Sequence, residues 1–209
     1  MHIQYFGLSS IKLTTKDATV VIDPFGKESG LTPPRGSADI IVLSDKNNPL
    51  YSATSGFSGT PFIVADPGEY DLKGVTIAGI PLATAVKKYI TVYLIESEDI
   101  KILSLAHIKE FTMKQEDLEG LGEIDILMLP VGNESVMDAA HAAKTVNIVE
   151  PKIVIPTHYN VTGLKIKADS IEHFNKEMAG KTETSDKLIL KRKDLASEGT
   201  KVFILDPLR

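Results

Sequence analysis

The sequence predicts an α/β protein built of stacked layers, with helices outside at least one sheet. Three observations carry that reading. The first half holds many short β-rich runs separated by turn signals. The second half alternates strand and helix patterns. Two continuous apolar runs, Asp39-Ile40-Ile41-Val42-Leu43 and Ile124 to Leu129, have the composition of strands covered on both faces.

Taken in order, Ile3 to Phe6, Ile11 to Thr15 and Ala18 to Asp23 read as strands, and Pro24 stops the third by removing a ladder donor. His2 is expected on an edge strand. After the run at 39–43, residues Ser44 to Gly59 are loop-like. Strands are then expected at Phe62 to Ala65, Val75 to Ile80, Ile90 to Ile95 and Ile100 to Ala106, with turns at Pro67 to Gly74. Thr112-Met113-Lys114-Gln115 and Ser135-Val136-Met137-Asp138 are capping-box patterns that should each open a helix. In the second, Ala139, Ala142, Ala143, Val146 and Val149 share one face, and Pro151 closes the element. Lys152 to Pro156 reads as a strand. Asp169 can cap a helix with Ile171, Phe174 and Met178 inward, ending at Gly180. Leu188 to Lys191 and Val202 to Asp206 read as a final strand pair. No repeat or linker divides the chain, so residues 1–209 are expected to form a single domain.

Composition narrows the chemistry. The chain has 23 Lys plus Arg against 28 Asp plus Glu, a net charge of −5, which argues against a nucleic-acid partner. With no Cys, disulfides, thiol catalysis and Cys-based metal sites are excluded. The lack of Cys and of a basic leader followed by an apolar stretch point to a cytoplasmic protein. No apolar run is long enough to span a membrane, and any metal site must draw on five His plus carboxylates. No HExxH, GxGxxG, GxSxG or EF-hand pattern occurs.

Several segments together resemble one family. They are Tyr5-Phe6-Gly7-Leu8-Ser9, Val21-Ile22-Asp23-Pro24-Phe25, Ala38 to Ser44, Pro67-Gly68-Glu69-Tyr70 with Gly74-Val75, Ile124 to Gly132, and Pro151 to Tyr159. In this order they are similar to the metallo-β-lactamase fold superfamily, in a subgroup like the small UlaG-type hydrolases. The resemblance implies a four-layered αββα sandwich with its site at one edge of the two sheets. It also implies two metals held by a His-x-His-x-Asp-His motif, two later His and a bridging Asp, which clamp a hydroxide.

The ligands the resemblance implies are mostly replaced here. Asp45 and Asn47 stand at the first two His of the motif, and Pro49 and Leu50 at its Asp and last His. Thr84 stands near the middle His, His107 at the bridging Asp, and Leu8 at the His of the opening segment. Only His158 matches outright. A neutral imidazole has one lone pair and bridges two metals poorly. The candidate cleft residues are therefore Asp45, Asn47, His107 and His158, with Asp23 as a buried turn residue that orients its neighbours. The expected function is that of a metallo-β-lactamase-fold protein whose two-metal site is largely lost, a binding protein or pseudoenzyme without cofactor. Its partner would be a small-molecule ligand or another protein. One alternative is a hydrolase with a single zinc or other divalent metal at Asp45, His107 and His158, acting on an ester, amide or phosphoester. A metal-free acid–base or nucleic-acid-processing activity is the third reading.

Overall fold

The computed structural model describes residues 1–84, 89–178, 182–195 and 199–208. Its strands are β1 (His2–Gly7), β2 (Ser10–Thr14), β3 (Thr19–Ile22), β4 (Gly36–Ser37), β5 (Ile40–Val42), β6 (Phe57–Ser58), β7 (Phe62–Val64) and β8 (Gly68–Leu72). They continue as β9 (Val75–Ala83), β10 (Tyr89–Ser97), β11 (Ile100–Ser104), β12 (Ile126–Pro130), β13 (Ile153–Thr157), β14 (Thr182–Ser185), β15 (Leu188–Ile189) and β16 (Lys201–Leu205). The α-helices are α1 (Gln115–Leu121), α2 (Ala139–Val149) and α3 (Ile171–Met178).

Two sheets organise the molecule. One has the order β15-β1-β2-β3-β5-β7 and the other β14-β16-β13-β12-β11-β10-β9-β8. Alternation along each strand explains how they stack. Val20, Ile22, Ile40 and Val42 belong to the large core cluster that joins the two sheets, together with Ile95, Ile102 and Ile126, which lie side by side on one face of the second sheet. Val21 and Ile41, one residue out of phase, face the other way and are covered by Phe57. The layer over this outer face includes the loop that carries Phe57. On the second sheet, α2 packs against β12 and α3. The run β11-β12-β13 is parallel, as expected where helices serve as crossovers. No helix among the described residues is long and apolar enough to cross a membrane.

Several local expectations are corrected. Residues 68–72 form strand β8, paired antiparallel with β9, where turns were expected. The β9 partner supplies the ladder that the polar sequence does not advertise. Neither capping box forms. The first helix has Lys114 at its N-cap with no side-chain bond. The second is capped by Asp138, whose carboxylate accepts from the His141 N–H. The closing segments do not pair with each other: β15 adds to β1, whereas β16 inserts between β13 and β14. Because β15 covers β1, His2 is not on an edge. The expected helix end at Gly180 lies outside the described residues.

A cleft at the strand ends

The candidate residues come from the carboxyl ends of parallel or neighbouring strands, the place where open α/β sheets leave a crevice. Asp23 follows β3, Ser44 and Asp45 follow β5, His107 follows β11, and His158 follows β13. The chain turns sharply at each exit. Leu8, Asp23, Ala106 and His158 all have left-handed backbone, with φ of 51°, 44°, 54° and 57°. Such residues cost free energy, and their clustering in one cleft marks a site the surrounding fold holds in place.

Gly132, just beyond β12, allows β13 to end where it does. A Cβ there would lie 1.8 Å from the His158 carbonyl oxygen. The His158 N–H is shared between the Leu8 carbonyl at 2.7 Å and the Tyr5 hydroxyl at 3.1 Å. The opening segment and the last strand are thus tied together, 150 residues apart in sequence (158 − 8).

Asp23 is fully buried and accepts from Ser44 twice, from the N–H at 2.7 Å and from Oγ at 2.8 Å. Burial pushes its carboxyl up to about 7 despite those two donors. Ser44 Oγ also lies 3.2 Å from His107 Nδ1. A serine hydroxyl has one proton. With Asp23 ionised that proton goes to the carboxylate, so His107 Nδ1–H donates to Ser44 Oγ and Nε2 carries the lone pair. Burial holds His107 down to about 3, and nearby His158 adds to the effect. The imidazole is therefore neutral at neutral pH.

Tyr51 stands between the two histidines. Its ring is stacked on His107, with centroids 3.7 Å apart and planes at 9°. Its hydroxyl lies 2.8 Å from His158 Nε2. The phenol has no other acceptor among the described residues, so its proton goes to Nε2, and His158 carries its own proton on Nδ1. That Nδ1 is buried and has no partner. Burial lowers His158 to about 4 and raises the Tyr51 hydroxyl well above the usual phenol range. Around Tyr51 lies a separate apolar cluster, with Leu8 and Phe25 buried and Leu50, Leu31 and Ile166 packed against them. Leu8 and Leu50 are residues that stand where the resembled family has His.

The candidates thus fall into two groups. Ser44 joins Asp23 to His107, and Tyr51 joins His107 to His158. Asp45 is half-buried and lines a cavity with His107 and Thr84. Asn47 is exposed, and its N–H closes a turn on Asp45 Oδ1 at 3.1 Å. Among the described residues no three His, Asp or Glu side chains gather closely enough to hold a metal ion. Sequence reasoning missed Tyr51 and Ser44. The signal for Tyr51 was present as an apolar pair, Leu50-Tyr51, inside an otherwise polar loop.

A layered fold with its cleft at these strand ends defines the metallo-β-lactamase type of protein. Residues 2–158 match the model of the beta-lactamase superfamily domain, and the chain belongs to that superfamily. Within it, the chain is 27% identical over 198 residues to a UPF0173 metal-dependent hydrolase of Lysinibacillus sphaericus, covering 77% of this chain and 86% of that protein. It is 32% identical over 157 residues to a UPF0173 metal-dependent hydrolase of Thermococcus onnurineus, covering 71% and 67%. Among solved structures, a candidate Zn-dependent hydrolase of the metallo-β-lactamase superfamily from Thermotoga maritima superposes with a TM-score of 0.82. It is 25% identical, with 98% of this chain and 99% of that one covered. Igni18, a metallo hydrolase of Ignicoccus hospitalis, shares the fold at a TM-score of 0.71 and 17% identity, covering 100% and 96%.

Proposed function

We propose that this chain is a metallo-β-lactamase-fold protein in which side-chain packing has replaced the two-metal site, and that it serves as a non-catalytic binding protein through the same cleft. The observation that carries the reading is Tyr51, stacked on one imidazole and hydrogen-bonded to the other. In this reading the phenol proton takes the place of a metal as the electrophile at His158 Nε2. The donor set does not fit two metals: Pro49 and Leu50 have no ligating atom, and His107 already commits Nδ1 to Ser44. Leu8 and Leu50 pack toward Tyr51 and supply apolar contact where charged ligand–metal chemistry would need polar groups. The absence of Cys supports a reducing, cytoplasmic setting.

A second reading keeps one metal at Asp45, His107 and His158 in a hydrolase of esters, amides or phosphoesters. The free Nε2 of His107, on a cavity that Asp45 also lines, favours it, as do the relatives' names as metal-dependent hydrolases. Metal analysis of untagged protein purified without chelators separates the two. The binding-protein reading expects less than about a tenth of an equivalent of zinc, manganese or iron, and no rise in Tm with excess zinc. Close to one equivalent, lost on Asp45→Ala and His158→Ala, overturns it.

A further inference from the structure

Strand β7 is an edge of its sheet, with β5 as its one strand partner among the described residues. Two bonds fix its phase. The Phe62 N–H donates to the Asp39 carbonyl at 2.9 Å, and the Val64 carbonyl accepts from the Leu43 N–H at 2.8 Å. Phe62 and Val64 therefore turn their backbone groups toward β5. Ile63, one residue out of phase, turns its N–H and carbonyl outward, and the Pro61 carbonyl and Ala65 N–H share that direction. None of these outward groups has a hydrogen-bond partner among the described residues. The side chains here are apolar and uncovered. Phe62 is 48% exposed and Ile63 41%, whereas Val64 is fully buried. The Phe62 ring meets Tyr70 of the other sheet edge-on, with centroids 6.3 Å apart.

Charge sets this edge apart. Native sheets blunt their open edges with charged residues. Strand β8 carries Glu69 and Asp71, β14 carries Glu183, and β15 follows directly on Lys187. Residues 47–65, by contrast, contain no Asp, Glu, Lys or Arg. A twofold contact sets a patch against its own copy, so a charged edge repels itself and an uncharged one does not.

We propose that β7 is the interface of a homodimer, pairing antiparallel with β7 of a second copy about a twofold axis through Ile63. In that register the Ile63 N–H and carbonyl bond the second copy's Ile63 in both directions. The Ala65 N–H donates to the second copy's Pro61 carbonyl, and the same bond forms in reverse. Phe62 lies opposite the second copy's Val64, and the two Ile63 side chains lie side by side. Neighbouring registers are poorer. An axis through Phe62 sets the Ile63 carbonyl against Pro61, which has no N–H to give. An axis through Val64 sets Asp66 opposite Phe62. A second copy is the occupant because the donors, acceptors and apolar side chains of this edge complement themselves with no opposed charges.

The test is sedimentation velocity of the full chain from about 1 to 200 μM, with amide hydrogen exchange at both ends of that range. The wild type is expected to pass from the mass of one chain to that of two. The Ile63 and Ala65 amides should exchange fast in dilute solution and slowly in concentrated solution, while the Val64 amide stays slow in both. Ile63→Lys and Ile63→Glu each set like charges across the axis and should weaken the dimer at least about a hundredfold. An equimolar mixture of the two should dimerise again, because Lys then faces Glu. A wild type that stays monomeric, or a dimer whose Ile63 amide still exchanges fast, overturns the proposal. So does a dimer that survives in either charged variant, or folded variants whose mixture stays monomeric. If neither variant folds, the exchange pattern of the wild type decides alone.

Discussion

His107 and His158 are both buried, both neutral and both placed at the carboxyl end of a parallel strand, yet their surroundings are opposite. His107 belongs to a hydrogen-bonded row, Asp23–Ser44–His107, and keeps one nitrogen free beside an open cavity. His158 faces Tyr51 and its apolar cluster, and the nitrogen that the phenol does not reach is sealed in without a partner. One half of the cleft keeps a cavity beside its histidine, and the other is filled by Tyr51 and its apolar neighbours. The comparison teaches that two histidines at equivalent strand exits can be given opposite surroundings by one residue, Tyr51, standing between them.

The largest effects should come from breaking the His158 side. Gly132→Ala places a methyl group on the His158 carbonyl and has no flexible side chain to push away. Its cost should be about 3 kcal/mol or more by denaturant unfolding. Tyr51→Ala opens a void within the Leu8–Phe25 cluster and should cost about 3–5 kcal/mol. Tyr51→Phe keeps the stack and removes only the bond to His158, so about 1–3 kcal/mol is expected. If the two Tyr51 variants cost the same, the hydroxyl is the whole of its role and the packing argument fails.

The pH dependence of stability sharpens the contrast between the rows. Burial pushes the Asp23 carboxyl up to about 7 in the folded chain, from the ordinary carboxylate value of 3.8. Its contribution is full below the unfolded value and is lost as pH rises toward 7. His107 and His158 run the other way, with folded values of about 3 and about 4 against 6.5. Their contribution is present above 6.5 and is lost as pH falls toward those values. Between roughly pH 4 and 6 the unfolded chain holds two imidazole protons that the folded chain lacks, and lacks one Asp23 proton. These three groups together make stability rise with pH by about 1.4 kcal/mol per unit. Asp23→Asn removes the opposing proton, so the slope should grow to about 2.7 kcal/mol per unit over that window. An unchanged slope would show that Asp23 is ionised there. The smallest effect is expected from Asp45→Asn, within about 0.5 kcal/mol, since Asp45 is half-buried and makes only a local turn.

Much of this was readable from residue order. The buried strand 39–43, the run at 124–129 and the β13 strand are written in apolar residues, because a strand covered on both faces has no polar alternation to hide it. Asp45, His107 and His158 were found because they stand, after β5, β11 and β13, where the resembled family places its ligands. Strand β8 was not found, since Glu69 and Asp71 face solvent and only pairing with β9 makes it a strand. The pairing of β15 with β1 rather than β16 joins residues almost the whole chain apart, which no local pattern encodes. The apolar pair Leu50-Tyr51 signals burial but not what Tyr51 touches. Its partners are 56 and 107 residues away (107 − 51 and 158 − 51), so its role exists only once the strand ends converge.

The central claim is that the Tyr51 hydroxyl stands in for a metal at His158. Imidazole nitrogen NMR of the wild-type protein, with and without excess zinc, tests it most directly. The account predicts a neutral His158 with its proton on Nδ1, no titration between about pH 5 and 8, and no response to zinc. A zinc-induced shift of His158 Nε2, with loss of the Tyr51 contact, would contradict it.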